Sequence, residues 1–329
     1  MNWFIIAFIA FFLLALAAVI DKFLLTKSEI VPISYAFYVS VLGGLASTLL
    51  LIFESNFYFP KNYWFILVGG GISFYFALYF MYLAVQKAEI SKVNPLIISL
   101  TPLIIFFFSF FLPIQSPTFQ KTGGAFLIII SSYFLSQTGS LKTKLNFKNW
   151  FLIILSCLMF ALSNIFNKMA YNNLSFINAF VWLRWFSLIT ALIFTSLIGA
   201  WPIVLNLKKR KFKKIELVIN YFKKIAHHFF APLHLFRKKL SSREQWLVFA
   251  LGQIVGGLGV LLMQYAIKLG NVVLVTALNG LEFFFVILIV YFLSKIYPRI
   301  LREDISGYFL KEKIIWSIVL FIGVFLVII

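Results

Sequence analysis

Two matching stretches decide the fold of this chain. Residues 64–85 read WFILVGGGISFYFALYFMYLAV, and residues 246–267 read WLVFALGQIVGGLGVLLMQYAI. Both begin with tryptophan, and a glycine, a methionine and an alanine recur at the same positions in the two stretches. Each stretch is long and apolar enough to cross a bilayer as one helix, because about 20 apolar residues span the hydrocarbon core.

The match extends beyond these two stretches. From the two tryptophans onward, the alignment runs without a gap for nearly 50 residues. A second match pairs residues 15–22, ALAAVIDK, with residues 161–168, ALSNIFNK. The same order of landmarks in both halves predicts an internal repeat. We place the first copy at residues 1–140 and the second at residues 147–329.

Composition defines the class of protein. Of the 329 residues, 62% are hydrophobic and 12% are charged, whereas globular domains carry roughly 25% charged residues. One soluble core cannot absorb that much apolar surface. In hydrocarbon, backbone amides need hydrogen-bond partners within their own segment. The sequence therefore predicts an all-α polytopic membrane protein.

We expect ten transmembrane helices, which form two inverted five-helix repeats. Their predicted limits are 3–22, 33–53, 63–85, 93–113, 120–137, 150–169, 178–200, 246–267, 271–293 and 312–329. Because five is odd, the second repeat enters the membrane upside down relative to the first. Inverted repeats are typical of secondary transporters, whose site lies near the midplane between the repeats. Gene duplication without transport is the alternative.

Charge distribution predicts the orientation. The net charge is +19, and 24 of the 29 Lys and Arg residues fall in loops after odd-numbered spans or at the span edges that border those loops. The positive-inside rule places those loops in the cytoplasm and both termini outside the cytoplasmic (inner) membrane. The basic residues thus face anionic lipid, and we expect no nucleic-acid partner. Ala15-Leu16-Ala17 resembles a signal-peptidase site, but no Lys or Arg precedes it, so we expect a retained helix.

The titratable residues argue against an enzyme. Cys157 is the only cysteine, and the three histidines, His227, His228 and His234, lie in one basic loop. The predicted spans thus offer no paired catalytic groups or metal ligands. We expect no catalytic residue, no metal and no cofactor.

One pattern recurs in both halves of the chain. It comprises Tyr82 to Leu112 with Pro95 and Pro102, Tyr265 to Phe292, and Lys22 and Lys168 at the ends of the first and sixth spans. This pattern resembles the EamA repeat of the drug/metabolite transporter superfamily. The resemblance implies a carrier that exports or exchanges a small organic solute, such as an amino acid, a nucleotide sugar or a drug. The chain departs from the family at Gln115, near a usual glutamate, at residues 298–303, and in a basic insertion at about 203–245.

Glu282 is the strongest candidate for a functional residue within the spans. It lies about 11 residues, or roughly 16 Å, from either edge of the ninth span. A charge at that depth costs from about 2.5 kcal/mol upward. We expect either a proton-coupling carboxylate or a protonated side chain that hydrogen-bonds a neighbouring helix.

Helix breakers lie close to this residue. Asn279 and Gly280 precede Glu282 by less than one turn, and Pro95 and Pro102 flank the equivalent positions of the fourth span. Broken helices expose carbonyls and half-helix ends that can hold a solute. We therefore expect both helices to be interrupted and to line the site, although kinks without function are also common.

Other polar residues within the spans have two interpretations each. Arg184, in the seventh span, pairs with an anionic solute or with Glu282, or it snorkels to the rim. Tyr75, Tyr79, Tyr82, Asn164, Gln253 and Gln264 line a cavity or make interhelical hydrogen bonds. Asp21, Lys22, Asn167 and Lys168 cap helices, pair locally or act as gates.

The basic insertion has its own prediction. Residues 212–230 form an amphipathic helix when plotted at 100° per residue, with cations opposite the apolar face. Such a helix lies in the membrane interface, and we expect the 208–243 segment to contact anionic lipid. A solvated loop and a calmodulin-type target are the alternatives.

The favoured interpretation is an alternating-access carrier of a small-molecule solute, as a monomer or homodimer. A non-transporting membrane scaffold or sensor is the alternative from another class. Within transport, a flippase for a lipid-linked substrate also fits the apolar walls.

Overall fold

The computed structural model describes residues 2–25, 32–87, 90–112, 118–137, 146–200, 242–296 and 307–328. Within these ranges every regular element is helical. The predicted amphipathic helix at 212–230 lies outside the described residues, as does Gln115.

The helices follow the predicted spans closely. They are α1 (Asn2–Leu25), α2 (Pro32–Thr48), α3 (Trp64–Lys87), α4 (Ile90–Ser109), α5 (Phe119–Gln137), α6 (Phe147–Asn173), α7 (Phe176–Leu197), α8 (Ser242–Leu269), α9 (Val272–Ala277), α10 (Asn279–Ile296) and α11 (Gly307–Ile328). Short 3-10 helices cover Leu49–Phe53 and Lys61–Tyr63.

Length and composition identify the membrane-crossing elements. Among the described residues, six helices are long and apolar enough to cross a bilayer, and three further apolar helices are shorter. Large apolar side chains such as Phe8, Ile193 and Ile254 are exposed on the outer faces, as lipid contact requires. The predicted all-α membrane fold is confirmed, whereas the number of ten spans and the inversion of the repeats stay predictions.

The predicted ninth span is interrupted. It divides at Leu278. The backbone N–H of Leu278 donates to the carbonyls of Leu274 and Thr276, and α9 ends there. The Leu281 N–H then donates to the Leu278 carbonyl at 2.9 Å and starts α10. Gly280 allows α10 to approach α5, because a Cβ there would collide with the Ser132 hydroxyl.

The expected break in the fourth span is absent. Helix α4 continues from Ile90 to Ser109 through Pro95 and Pro102, so that prediction was wrong. A proline removes one backbone donor, and transmembrane helices tolerate the loss where neighbouring helices support the chain. Helix α4 packs against both α5 and α6.

Three helix pairs form the frame of the molecule. The most extensive contacts join α1 to α8, α3 to α6, and α5 to α11. Small residues permit the close approach, as is usual in membranes. A Cβ on either Gly124 of α5 or Gly323 of α11 would lie 2.8 Å from the carbonyl oxygen of the other glycine.

Candidate functional site

A buried polar network joins α6 to α8. Gln264 Oε1 accepts from Asn167 Nδ2 at 3.0 Å and from the Tyr171 hydroxyl at 3.2 Å, and Gln264 Nε2 donates to Asn164 Oδ1 at 3.2 Å. All four side chains are buried. The three α6 residues fall at spacings of three and four, which places them on one face of the helix. We call these four residues the α6–α8 polar network.

A small cavity lies beside the network, between α3, α6 and α7. Its lining residues are Gly70, Phe74, Ser163, Asn167, Tyr171, Phe180, Leu183 and Arg184. Its free volume is about 10 Å³, which is roughly the room that one water molecule needs. We call it the Arg184 cavity.

Arg184 is the charged residue of that cavity. Its side chain is only 8% exposed. The guanidinium carbon lies 4.0 Å from the centre of the Phe74 ring and 5.0 Å from that of Phe180. Such cation–π contacts cover the faces of the guanidinium. The snorkelling interpretation is therefore wrong, because the head group is buried against aromatic rings.

Lys168 lies next to the network and binds a helix end. Its Nζ donates to the carbonyls of Ile267, Lys268 and Gly270 at 2.9, 3.0 and 2.8 Å. The last carbonyls of a helix lack partners within the helix and carry partial negative charge. Lys168 of α6 thus caps the C-terminus of α8. Asp21 and Lys22 belong to α1, but their side chains lie outside the described residues.

The structure keeps Glu282 apart from this cavity. Glu282 is part of α10 and does not line the cavity. Within the described part of the chain, no ion pair joins it to Arg184. The Asn279 side-chain oxygen is buried without a hydrogen-bond partner, and Gly280 faces α5. The predicted site residues therefore form two separate groups: Arg184 with the α6–α8 polar network, and Glu282 with Asn279 and Gly280.

The remaining candidates lie elsewhere. Tyr79 packs its ring 5.3 Å from that of Phe194 and does not line the cavity. Gln253 Nε2 donates to the Tyr35 hydroxyl at 3.5 Å, a long bond between α8 and α2. Pro95 belongs to α4, with its side chain outside the described residues.

Sequence reasoning missed several cavity residues. These are Gly70, Phe74, Ser163, Tyr171, Phe180 and Leu183. Ser163 and Tyr171 had a detectable signal, since they continue the polar face of Asn164 and Asn167 in both directions along α6. The two phenylalanines had none, because Phe is abundant throughout this chain.

Comparisons with known proteins agree with this architecture. Residues 1–137 match the model of the EamA-like transporter family, which confirms the predicted resemblance over those residues. A solved structure, described only as the crystal structure of a protein, aligns over 100% of this chain and 99% of its own with a TM-score of 0.65. Its sequence identity is 17%, so the likeness concerns the fold alone. No curated protein matches the chain.

Fold and family match together define the class. The chain is an all-helical, multi-pass membrane protein, and its first 137 residues are similar to the EamA-like transporter family.

Proposed function

We propose that this protein is a secondary transporter that moves a small organic metabolite across the cytoplasmic membrane by alternating access. The observation that carries the proposal is the charged Arg184 cavity, enclosed among apolar helices together with the α6–α8 polar network. Charged groups inside a membrane protein are costly and mark solute or ion pathways. A scaffold that needs no cavity gains nothing from such a group.

Helix pairing supports an inverted repeat. In the sequence alignment, α1 corresponds to α6, and α3 corresponds to α8. The pair α1–α8 is then equivalent to α6–α3, and both pairs are extensive. Helices α2 and α7 also pack against each other, as do α5 and α11. Self-pairing of equivalent helices is expected where a two-fold axis relates the repeats.

Two equivalent contacts differ, as alternating access requires. Helix α3 packs tightly on α7: a Cβ on Gly71 would lie 2.6 Å from the Phe186 Cβ and 2.7 Å from the Ser187 nitrogen. The equivalent helices α8 and α2 are in sparse contact over their described residues. We propose that the solute enters the cavity when α3 separates from α7, while α2 and α8 close.

Transport assays on the purified full chain test this proposal. In proteoliposomes, we expect saturable counterflow of at least one solute from a panel of amino acids, nucleosides, sugars and organic acids, with and without a pH gradient. Ile193→Ala, on an exposed face of α7, is the control for reconstitution and should transport normally. Folded protein that moves no solute would favour the scaffold or sensor.

We also propose that Glu282 couples transport to protons. A mid-membrane carboxyl can carry a proton between the two sides when the helices around it move. Glu282→Gln should lower the accumulation driven by a pH gradient about tenfold or more. It should leave counterflow intact. Glu54→Gln is the matched control, because Glu54 lies outside the spans' interior and binds the Ser175 hydroxyl. Unchanged proton-driven uptake by Glu282→Gln would reject the coupling role.

The remaining proposals concern the surroundings of the transporter. The charge distribution favours both termini outside and the 208–243 segment on anionic lipid. The protein works as a monomer or a homodimer.

A further inference from the structure

We infer that the Arg184 cavity binds the carboxylate group of a small, largely apolar monocarboxylate. The inference rests on the proposed transport function and names the chemistry that selects the solute. It begins from the guanidinium, which is the charged group of the cavity and is buried to more than nine-tenths.

The guanidinium has no protein counter-ion in the part of the chain that the structure describes. It lies against the rings of Phe74 and Phe180 and also interacts electrostatically with Tyr171. Rings cover the flat faces of a guanidinium, but its N–H donors point outward in the plane. A buried charge without a partner is unfavourable. The cavity therefore lacks a negative, planar acceptor, and a carboxylate has the geometry to accept two parallel N–H bonds.

The neutral polar groups of the lining limit the ligand to one negative charge. The Ser163 hydroxyl donates to the Gly70 carbonyl at 3.3 Å, and the Tyr171 hydroxyl donates to Gln264. Their hydrogens are thus committed, and their oxygens retain only acceptor capacity. A second negative charge, as on a phosphate monoester, would face these oxygens with no further cation and with only the second amide N–H of Asn167 as a neutral donor.

The apolar part of the lining describes the rest of the solute. Phe74, Phe180 and Leu183 form the walls, and Gly70 leaves room beside Asn167. A compact apolar body can occupy this space once α3 and α7 separate. The expected ligand combines one carboxylate with such a body.

Paired probes test the inference on the purified full chain. Three monocarboxylates of increasing apolar size, lactate, 2-hydroxyisovalerate and 3-phenyllactate, are each compared with their own primary amide. Inorganic phosphate and glycerol phosphate form a separate arm. We expect at least one carboxylate to raise the midpoint of thermal unfolding and to compete in counterflow about tenfold or more better than its amide. The phosphates should have no effect.

Variants of Arg184 test whether this residue causes the preference for a carboxylate over its amide. Arg184→Gln should remove the preference for acid over amide, and Arg184→Lys should keep part of it. Lys268→Gln is the matched control, because it removes a cation whose side chain lies outside the cavity. Without ligand, Arg184→Gln should unfold at or above the midpoint of the unmodified protein, since it removes an uncompensated buried charge.

The outcomes separate this inference from the proposed function. Equal effects of acid and amide, retained discrimination in Arg184→Gln, a preference for phosphates, or no carboxylate effect at all would each overturn the carboxylate site. Transport of a neutral solute that does not need Arg184 would overturn the inference and keep the transporter. If no solute shows counterflow, the transport proposal is rejected as well.

Discussion

The interface between α1 and α8 and the interface between α3 and α6 correspond to each other in the sequence alignment, but their contacts differ in polarity. At the first, a Cβ on Gly256 would meet the Ala17 Cβ at 3.2 Å, and one on Gly259 would meet Leu14 at 2.9 Å. At the second, Ser163 and Ser156 of α6 donate to the carbonyls of Gly70 and Ala77 in α3. The described contacts of the first interface are apolar, whereas the second combines apolar contacts with two hydrogen bonds from serines.

The repeat alignment makes this contrast informative. It pairs Ala17 and Ala18 of α1 with Ser163 and Asn164 of α6. Small side chains suffice for close helix packing at both interfaces. At these aligned positions only α6 has polar side chains: Ser163 lines the Arg184 cavity and Asn164 belongs to the α6–α8 polar network. We conclude that packing explains the small residues at both interfaces, and that the polar face of α6 needs a further reason, which the proposed solute binding would supply.

The largest effect on this contrast should come from Gln264. Gln264→Leu leaves Asn164, Asn167 and Tyr171 without their shared partner. Each unsatisfied buried polar group costs about 1–3 kcal/mol, so we expect a loss of about 3 kcal/mol or more in the free energy of unfolding. Denaturant titration of the purified protein measures it. Gln253→Leu, which loses one long bond, should cost below about 1 kcal/mol; equal costs would contradict the assigned network.

Lys168 should rank second. Lys168→Met removes three charge-assisted hydrogen bonds to the end of α8. Because water can reach part of this half-buried site and solvate the freed carbonyls, we expect a loss of about 2–3 kcal/mol. Thermal unfolding measures the change, with Lys268→Met as the control for charge removal. A stability equal to that of the control would show that the cap contributes nothing.

Glycine substitutions should have the smallest effects on the free energy of unfolding, and their size should depend on how closely the neighbouring helix packs. Gly71→Ala places a methyl group against the backbone of α7, at 2.7 Å from the Ser187 nitrogen, and should cost about 1–3 kcal/mol. Gly257→Ala on α8 meets nothing within 4 Å and should leave the midpoint of unfolding within a degree or so of the unmodified protein. Similar shifts for both variants would refute the close α3–α7 contact.

Much of the fold could be predicted, because bilayer thickness fixes helix length. The ends of α3 and α6 lie within a few residues of the predicted limits. The site was harder to predict. Hydrophobicity shows which residues are polar, but not which helix faces meet. Gln264 and Asn164 were recognised as polar, yet their pairing across 100 positions of sequence depends on tertiary packing.

Two errors have the same physical origin. Pro95 and Pro102 were expected to break α4, and Glu282 was considered as a partner for Arg184. Both expectations used local sequence alone. Support from α5 and α6 keeps α4 continuous, and the arrangement of the helices places Arg184 against the ring of Phe74, more than 100 residues earlier in the chain.

The crossing of α5 and α11 has a mechanical consequence. At Gly124 and Gly323 the two backbones touch with no side chain between them, so there is no soft layer that could deform. We expect the distance between these helices to stay fixed while others tilt. In the proposed alternating-access cycle, we expect this crossing to be the fixed point about which the other helices tilt.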